Sequence, residues 1–535
     1  MNKRTLVSII LLLVLGFSVY ANSLRGVLFW DDEITVINNV FLRKPLFYLK
    51  DIFLSTYHSG SGDTLNFYRP LATLSFALDY HFWKLNALGY HLSNVILHLL
   101  SGTFLFLLLQ RIFNKLSLST LTAILFLVHP INSEAVNYVS NRTDPLMLFF
   151  FLVSFYLYVA YRQKGNKYFL ISSVITYILC ILSKEMGLIL PLFLLAYELI
   201  IPNGAKLKSK DSGIKRLIPL ISFAGVFIIY VALRSTILNF LNINLLTQGA
   251  QKEPFSHDLI IRFLTHAKAG LIYLKLFFWP VNLHMEYDMP AVYSRSDMFG
   301  WLALVSLILL AGIIFYLGKN NKKVIFAASW FIIGILPVSG IIPINNVVSE
   351  HYLYLASSGF FLLLALGMLW LLSIVKMRIF AGIFIILSII ILGTLTILRN
   401  RDWHEPLRMY LEIISQTKQS FRAHNNAGVE YFRSGDLVKA EQYFRSSLEI
   451  QPTYAPAINN LGVIYRRKDN IAEAERLYKA AIQADPDYLL AHENLLGIYF
   501  TQNRIEEAKN ELGRILEIHP HHPQAKELLN QLRDR

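Results

Sequence analysis

Long apolar runs separated by short basic segments occupy the first 400 residues of the chain. A membrane-spanning helix needs about 20 consecutive apolar residues, and eleven runs come close enough to this length to be predicted as spans. They lie near residues 5–24, 88–110, 117–130, 145–161, 168–183, 187–201, 217–237, 298–318, 323–343, 355–375 and 379–398. A further apolar stretch, Arg262–Val281, carries three basic residues and a histidine, which are costly at the bilayer centre. We therefore predict that it forms an interfacial or juxtamembrane helix within a long outer loop.

Beyond residue 400 the apolar runs give way to a pattern that repeats every 34 residues. Alanine recurs at 423, 457, 491 and 525 and again at 440, 474 and 508, tyrosine at 431, 465 and 499, and proline at 452, 486 and 520. This period and these positions are typical of tetratricopeptide helix pairs. We predict a connecting helix over 401–422, three repeats over 423–524 and a polar capping helix over 525–535.

The predicted fold class is therefore all-α. A polytopic helical membrane domain over residues 1–400 precedes a tetratricopeptide-repeat α-solenoid. Asparagine also recurs at the 34-residue period, on the first helix of each pair, as Asn426, Asn460 and Asn494. A ladder of amides there could pair with the backbone of an extended acceptor polypeptide or partner protein. The alternative is that asparagine is simply tolerated at a partly exposed helix position.

Composition and charge support this division. The chain is 54% hydrophobic and only 16% charged, whereas soluble domains carry about 25% charged residues. Residues 1–400 contain 32 basic and 17 acidic residues, and residues 401–535 contain 18 and 19. This distribution argues against a nucleic-acid-binding protein, whose basic residues cluster on one face. The single cysteine, Cys180, excludes a disulfide scaffold and a cysteine-ligated zinc site.

The basic clusters also predict the topology, because lysine and arginine favour cytoplasmic loops. They place the N-terminus inside and, after eleven spans, the repeats outside a cell inner or plasma membrane. The first apolar run could instead be a signal peptide, since Val19-Tyr20-Ala21 resembles a cleavage site. In the eleven-span topology, 15 of the 17 acids of residues 1–400 lie on the outer side, the exceptions being Glu198 and Asp211.

Two acidic clusters on the outer side are candidates for chemistry. The first outer loop opens with Phe29-Trp30-Asp31-Asp32-Glu33, where a carboxylate could act as a base near the headgroups. Its alternative is a solvated helix start, where acids favour the helix dipole. The second cluster lies between the third and fourth predicted spans and contains Glu134, Arg142 and Asp144. Arg142 is suited to bind a lipid phosphate, although it could also pair with Asp144.

Three further positions are weaker candidates: Arg69 before the second span, Lys184 at an outer helix hinge, and His351 at the start of the tenth span. The chain contains no Walker, GxGxxG, HExxH or GxSxG motif, and no cluster of metal ligands is evident. An enzyme whose site lies outside has no pool of nucleotide sugars. An activated sugar would therefore arrive in the membrane as a lipid phosphate, with neither cofactor nor metal.

Several strings carry a resemblance to a known family: WDDE, YRPLATLSF, LFLVHPINSEAVNYVSNRTDPL, LSKEMG, SEHYLYLASSGF and the terminal repeats. Together they resemble the transmembrane and tetratricopeptide repeat-containing protein O-mannosyltransferases, members of the GT-C superfamily. With three repeats, the chain is identified as a prokaryotic-type member. The resemblance implies inverting transfer of mannose or another hexose from a polyprenyl-phosphate donor to Ser or Thr of extracytoplasmic proteins.

The resemblance also assigns roles to residues. It implies that Asp31 or Asp32 is the catalytic base, and Asp32 is favoured. The residues implied to bind the donor and its phosphate are Arg69, Glu134, Arg142, Asp144, Lys184 and His351. Two alternatives stay open: transfer of the lipid-linked sugar to a lipid or polysaccharide, and a non-catalytic membrane-anchored scaffold that recruits proteins through its repeats.

Overall fold

The computed structural model describes residues 2–62, 67–201, 213–236, 258–287, 291–341, 347–520 and 522–533. Within these ranges the chain forms α-helices joined by short helical turns and loops, with no strand. The helices up to residue 400 are α1 (Lys3–Tyr20), α2 (Leu49–Leu54), α3 (Pro70–Trp83), α4 (Ala87–Phe113), α5 (Leu116–Val128), α6 (Ser133–Asn137), α7 (Thr143–Lys164), α8 (Lys167–Ser183), α9 (Leu190–Ile200), α10 (Leu220–Ser235), α11 (Leu259–Phe278), α12 (Met298–Gly318), α13 (Lys322–Ile335), α14 (Tyr354–Ser373) and α15 (Arg378–Asn400).

The apolar runs are helices, but they differ in length. Each of the eleven predicted runs contains one helix. Among the described residues, six helical segments are long and apolar enough to cross a membrane, and α5 with the bent segment Pro130–Asn137 would make a seventh. Helices α9, α10 and α13 have only 11, 16 and 14 residues. The number of spans is therefore approximate.

Helices α3 and α11 lie outside the predicted spans. Helix α11 coincides with the predicted interfacial stretch and is not one of the six span candidates. Helix α3 was not predicted. It begins at Pro70, which suits the first position of a helix because its ring fixes φ and its missing N–H is not needed there.

The chain divides into two compact units whose boundary differs from the predicted one at residue 400. Unit 1 comprises Met1–Gly26, Tyr68–Met285 and Met289–His404. Unit 2 comprises Val27–Phe67, Glu286–Asp288 and Glu405–Arg535. The first outer loop, with its acidic cluster, thus belongs to the same compact unit as the repeats.

Unit 2 contains the predicted helix pairs. Its helices are α16 (Pro406–Gln416), α17 (Phe421–Arg433), α18 (Leu437–Ile450), α19 (Ala455–Arg467), α20 (Ile471–Ala484), α21 (Leu489–Thr501), α22 (Ile505–Ile518) and α23 (Pro523–Arg533). The periodic alanines, including Ala440, Ala474 and Ala508, are completely buried. A Cβ at Gly462 would lie 2.7 Å from the ring of Tyr478, so this position requires glycine for close helix packing. The predicted fold class, an all-α membrane domain followed by a tetratricopeptide solenoid, is confirmed.

Candidate active site

The acidic cluster of the first outer loop forms a tight turn, which we call the acidic turn (Phe29–Glu33). The Asp32 N–H donates to the Phe29 carbonyl at 3.2 Å, and the Phe29 N–H donates back to Asp32 Oδ2 at 3.2 Å. Trp30 has a φ of 59°, in the left-handed region, which is a strained conformation for a bulky residue. Strain of this kind persists only where the surroundings hold the backbone in place.

The two aspartates of the turn differ in exposure. Asp32 is only 1% exposed and its carboxylate accepts the Phe29 N–H, so it helps to close the turn. Asp31 is exposed to solvent. A general base must reach the proton that it removes, and the structure therefore favours Asp31 over Asp32, in contrast to the preference drawn from the sequence.

The acidic turn contacts the helices that precede and begin the repeats. The ring of Tyr410, on α16, lies 6.1 Å from that of Phe29 and 5.4 Å from that of Trp30, measured between centroids. Phe29 and Tyr410 are both buried. Burial raises the pKa of Tyr410, and the nearby carboxylates of Glu430, Glu33 and Asp32 raise it further. Glu33 forms an ion pair with Arg433, at the end of α17.

The six predicted donor-site residues all lie in unit 1, where they form ion pairs. Arg69 binds Glu185 through two bonds, of 2.6 and 3.1 Å. Lys184 Nζ donates to both oxygens of Asp144, at 2.7 and 2.8 Å. His351 Nδ1 lies 2.6 Å from Glu134 Oε1 and 2.8 Å from the Ser349 hydroxyl. The sixth residue, Arg142, pairs with Asp79, which is not one of the predicted residues.

Arg142 is held by four different groups. Its guanidinium lies 2.6 Å from Asp79 and donates to Asn94 Oδ1 at 2.7 Å, to the Tyr90 carbonyl at 2.9 Å and to the Ser75 carbonyl at 3.3 Å. Only 1% of its side chain is exposed. It does not pair with Asp144, which corrects the alternative weighed above. With its donors used in this way, Arg142 ties α3 and α4 to the start of α7, and it is poorly placed to bind a lipid phosphate directly.

Arg69 is more exposed than Arg142, and its partner Glu185 lies just after the end of a helix. Helix α8 ends at Ser183, and Lys184 is extended, with φ −160° and ψ 139°. Successive side chains of extended backbone point in opposite directions, so Lys184 binds Asp144 while Glu185 binds Arg69. Burial by itself would raise the pKa of Glu185, but the Arg69 guanidinium, with a smaller contribution from the Lys184 ammonium, lowers it to about 2. The side chains of Arg69 and Glu185 are 12% and 29% exposed.

The asparagines of the repeats form a continuous chain of amide hydrogen bonds. Asn494 donates to Asn459 at 2.9 Å, Asn459 to Asn460 at 3.4 Å, Asn460 to Asn425 at 2.9 Å and Asn425 to Asn426 at 3.1 Å. The three predicted asparagines are half-buried, whereas Asn425 and Asn459 are buried. The amides therefore link adjacent repeats to each other, a role that was not predicted.

Several partners in these clusters were missed from the sequence. Asn425 and Asn459 directly precede predicted asparagines and share their 34-residue period, so the repeat pattern could have identified them. Asp79 and Glu185 are among the acids predicted to lie outside, but they were not assigned to sites. Arg399, which the predicted topology places on the outer side, lies 2.7 Å from Asp402 and 3.9 Å from Glu350. An arginine at that position is an exception to the positive-inside rule, and this exception could have identified Arg399 as a candidate from the sequence.

Among the residues that the structure describes, no three His, Cys, Asp or Glu side chains are grouped as metal ligands. The carboxylates of these clusters could transfer protons, and their cations could bind anions. Asp31 is suited to the first role. Arg69, whose guanidinium fork already holds a carboxylate, is suited to the second.

Comparison with known proteins gives matches to both parts of the chain. Residues 56–252 match the dolichyl-phosphate-mannose-protein mannosyltransferase family. Residues 421–454 and 465–532 match tetratricopeptide repeat families.

Similar proteins extend over most of the chain. Protein O-mannosyl-transferase F38B6.6 of Caenorhabditis elegans is 26% identical over 460 residues, which cover 84% of this chain and 63% of the relative. Human protein O-mannosyl-transferase TMTC3 is 26% identical over 470 residues, which cover 81% and 50%. The chain thus spans between 50% and 63% of the length of these curated relatives.

Among solved structures, the crystal structure of ArnT from Cupriavidus metallidurans bound to undecaprenyl phosphate matches at 12% identity and a TM-score of 0.42. The match covers 96% of this chain and 80% of that one. The chain matches the mannosyltransferase family over part of its length, contains tetratricopeptide repeats and is similar to curated protein O-mannosyl-transferases, so the resemblance predicted from the sequence is confirmed.

Proposed function

We propose that the chain is a membrane glycosyltransferase that moves mannose or another hexose from a polyprenyl-phosphate donor to Ser or Thr hydroxyls of extracytoplasmic proteins. The observation that carries the proposal is the exposed carboxylate of Asp31, held in a strained turn that buries its neighbour Asp32. The mannosyltransferase match and the names of the relatives support the reaction class and its acceptor.

The mechanism is a single inverting displacement. The acceptor oxygen attacks the anomeric carbon while the bond from that carbon to the phosphate oxygen breaks. Asp31 takes the proton from the hydroxyl. The polyprenyl phosphate leaves with its electron pair, and its charge is stabilised by the Arg69 guanidinium after the phosphate displaces Glu185 from the same bidentate fork.

The other predicted residues support these two groups. Lys184 and Asp144 form a buried pair next to the Arg69–Glu185 pair in the chain and fix the helix break. Glu134 and His351 form a second pair, of which His351 is 17% exposed, so His351 remains a candidate for binding the donor. The half-buried amides of Asn426, Asn460 and Asn494 are proposed to bind the acceptor backbone.

The proposal includes a location. The chain would be a multi-pass protein of the cell inner or plasma membrane, with a cytoplasmic N-terminus and extracytoplasmic repeats. The basic loops and outer acids of the sequence support this orientation. The mechanism requires neither a metal ion nor a cofactor, which also remains a proposal.

The test is a transfer assay with purified full-length protein, polyprenyl-phosphate mannose and a Ser/Thr peptide. Loss of a general base typically slows a reaction by 10²- to 10⁴-fold, so we expect such a loss for Asp31→Asn. Asp32→Asn keeps an oxygen that can accept the Phe29 N–H and should lose less. Arg69→Gln should slow transfer by about 10²-fold. Asp51→Asn, an acid of the same outer loop, is the matched control and should keep the wild-type rate.

Each alternative has its own outcome in this assay. A smaller loss for Asp31→Asn than for Asp32→Asn would make Asp32 the base. Transfer to lipid or polysaccharide but not to peptide would change the acceptor class. A wild-type protein with no transfer to any acceptor, but with partner proteins bound to its repeats, would favour the scaffold.

A further inference from the structure

The acidic turn is closed by local hydrogen bonds, including those from the Ile34 and Thr35 N–H groups to the Asp31 carbonyl at 3.1 and 2.8 Å, but it also contains a strained residue. Trp30 occupies the left-handed region at φ 59° although it is neither glycine nor asparagine. The two hydrogen bonds between Phe29 and Asp32 are both 3.2 Å long. A turn with such strain would relax if contacts from elsewhere did not hold it, and a relaxed turn would move the Asp31 carboxylate.

Some of the contacts that hold the acidic turn come from α16 and from α17, the first helix of the first repeat. Phe29 and Trp30 pack against the ring of Tyr410, on α16. Two residues past Asp31, the Glu33 carboxylate pairs with Arg433 at the end of α17, and Arg433 is itself fixed by Glu430 at 2.7 Å. These contacts lie on both sides of Asp31 in the chain, so together they restrain the turn that carries its carboxylate.

We propose that Tyr410 and Arg433 are positioning residues that hold the acidic turn in its active conformation. This inference rests on the proposed function, since it takes Asp31 as the base. In this role the first repeat contributes to the chemical step, because it orients the base independently of acceptor binding. A repeat array that only recruited acceptors would affect acceptor binding but not the rate at saturation.

The ion pair can be tested without unfolding the protein. Glu33 and Arg433 are 40% and 51% exposed, and exposed ion pairs contribute little to stability. Positioning is more sensitive, because a displacement of about 1 Å can slow a reaction by about 10²-fold. Loss of the pair should therefore reduce the rate far more than it reduces stability.

The experiment compares Arg433→Met and Glu33→Gln with the charge exchange Glu33→Arg/Arg433→Glu. Arg467→Met is the matched control, since Arg467 occupies the same position one repeat later, is exposed and lies over the ring of Phe432. We expect each single variant to reduce kcat about 10-fold at an unchanged donor KM. The exchanged pair should recover most of that loss, and Arg467→Met should behave as the wild type.

Hydrogen exchange of the first outer loop gives a readout that does not depend on activity. In Arg433→Met, the backbone amides of residues 29–38 should exchange faster, and in Arg467→Met they should not. Tyr410→Ala should have the same effect as Arg433→Met on both rate and exchange. Tyr410→Phe keeps the ring and should remain close to the wild type.

Two results would overturn the inference: wild-type kcat in both Arg433→Met and Tyr410→Ala, or a charge exchange no better than the single variants. A fall in acceptor affinity alone, at unchanged kcat, would assign Arg433 to acceptor binding and also contradict it. Failure of the proposed function itself would look different. The wild type would then transfer no sugar, while the exchange measurement would still report whether Arg433 holds the turn.

Discussion

Arg69 and Arg142 carry the same guanidinium in different surroundings, and this difference separates a binding group from a structural one. Arg69 has a carboxylate in its fork and is partly exposed. Arg142 is buried, with an aspartate, an amide and two carbonyls as partners. A ligand could displace Glu185 from Arg69, whereas displacing the partners of Arg142 would open the packing of three helices.

Breaking the buried pair of Arg142 and Asp79 should therefore reduce stability without a direct effect on donor binding. Removing one partner of a buried ion pair typically costs about 3–5 kcal/mol, because the other charge is left without compensation. We expect Arg142→Met to lower the thermal midpoint of the detergent-solubilised protein strongly. Arg142→Met/Asp79→Leu should recover most of that stability and retain transfer activity.

Arg69→Met is the control, since Glu185 stays partly solvated and the thermal midpoint should change little. If the double variant is as stable as the wild type but cannot use the donor, Arg142 contacts the donor after all. That result would restore the role that the sequence suggested.

At the scale of elements, the asparagine chain couples neighbouring repeats through their first helices. Asn459, on α19, is buried, accepts from Asn494 on α21 and donates to Asn460. The 34-residue period predicted where these amides recur, but not that they bind each other. Which donor meets which acceptor depends on the packing angle between helix pairs, and the period contains no information about that angle.

Asn459→Ala should weaken the contact between the second and third repeats. It leaves the Asn494 amide without its acceptor in a partly buried position, which typically costs about 1–3 kcal/mol. We expect faster hydrogen exchange in α19 and α21 of the full chain. Gln483→Ala, which removes an exposed amide from α20, should leave exchange unchanged.

The half-buried asparagines of the same helices give a separate prediction about acceptor binding. If their amides bind the acceptor backbone, Asn426→Ala/Asn460→Ala/Asn494→Ala should raise the KM for a peptide acceptor and leave the donor KM unchanged. An unchanged peptide KM would limit the amide chain to holding the repeats together.

At the scale of the whole molecule, the sequence predicted the helices and repeats but not the composition of the two units. An apolar run is a local pattern and the 34-residue period is a regular one, so both can be recognised in the sequence. Each of the eleven runs and each of the three repeats forms helices. The contact of Glu33 with Arg433 joins residues 400 positions apart. No periodic signal connects an outer loop to a repeat, so the placement of Val27–Phe67 with the solenoid could only come from the structure.

The orientation of the chain depends on the short helix α13. Fourteen residues give a helix of about 21 Å at 1.5 Å per residue, less than the roughly 30 Å of hydrocarbon that it must cross. The α-helix does not continue regularly past Ile335, because Pro337 lacks the N–H that an α-helix needs. A helical turn, Leu336–Val338, follows directly and extends the helix. The proposed topology, with the basic cluster at Lys319–Lys323 inside and the repeats outside, requires α13, α14 and α15 all to cross the membrane.

Single-cysteine labelling tests this orientation. In a Cys180→Ser background, Asn320→Cys lies in that basic cluster and Val438→Cys lies on α18, where Val438 is 80% exposed. We expect a membrane-impermeant maleimide to label Val438→Cys in intact cells and Asn320→Cys only after lysis. Three crossings separate the two positions if α13 spans, and two if it does not. Labelling of both from one side would therefore show that α13 is not a span, and it would move either the basic cluster or the repeats to the opposite side of the membrane.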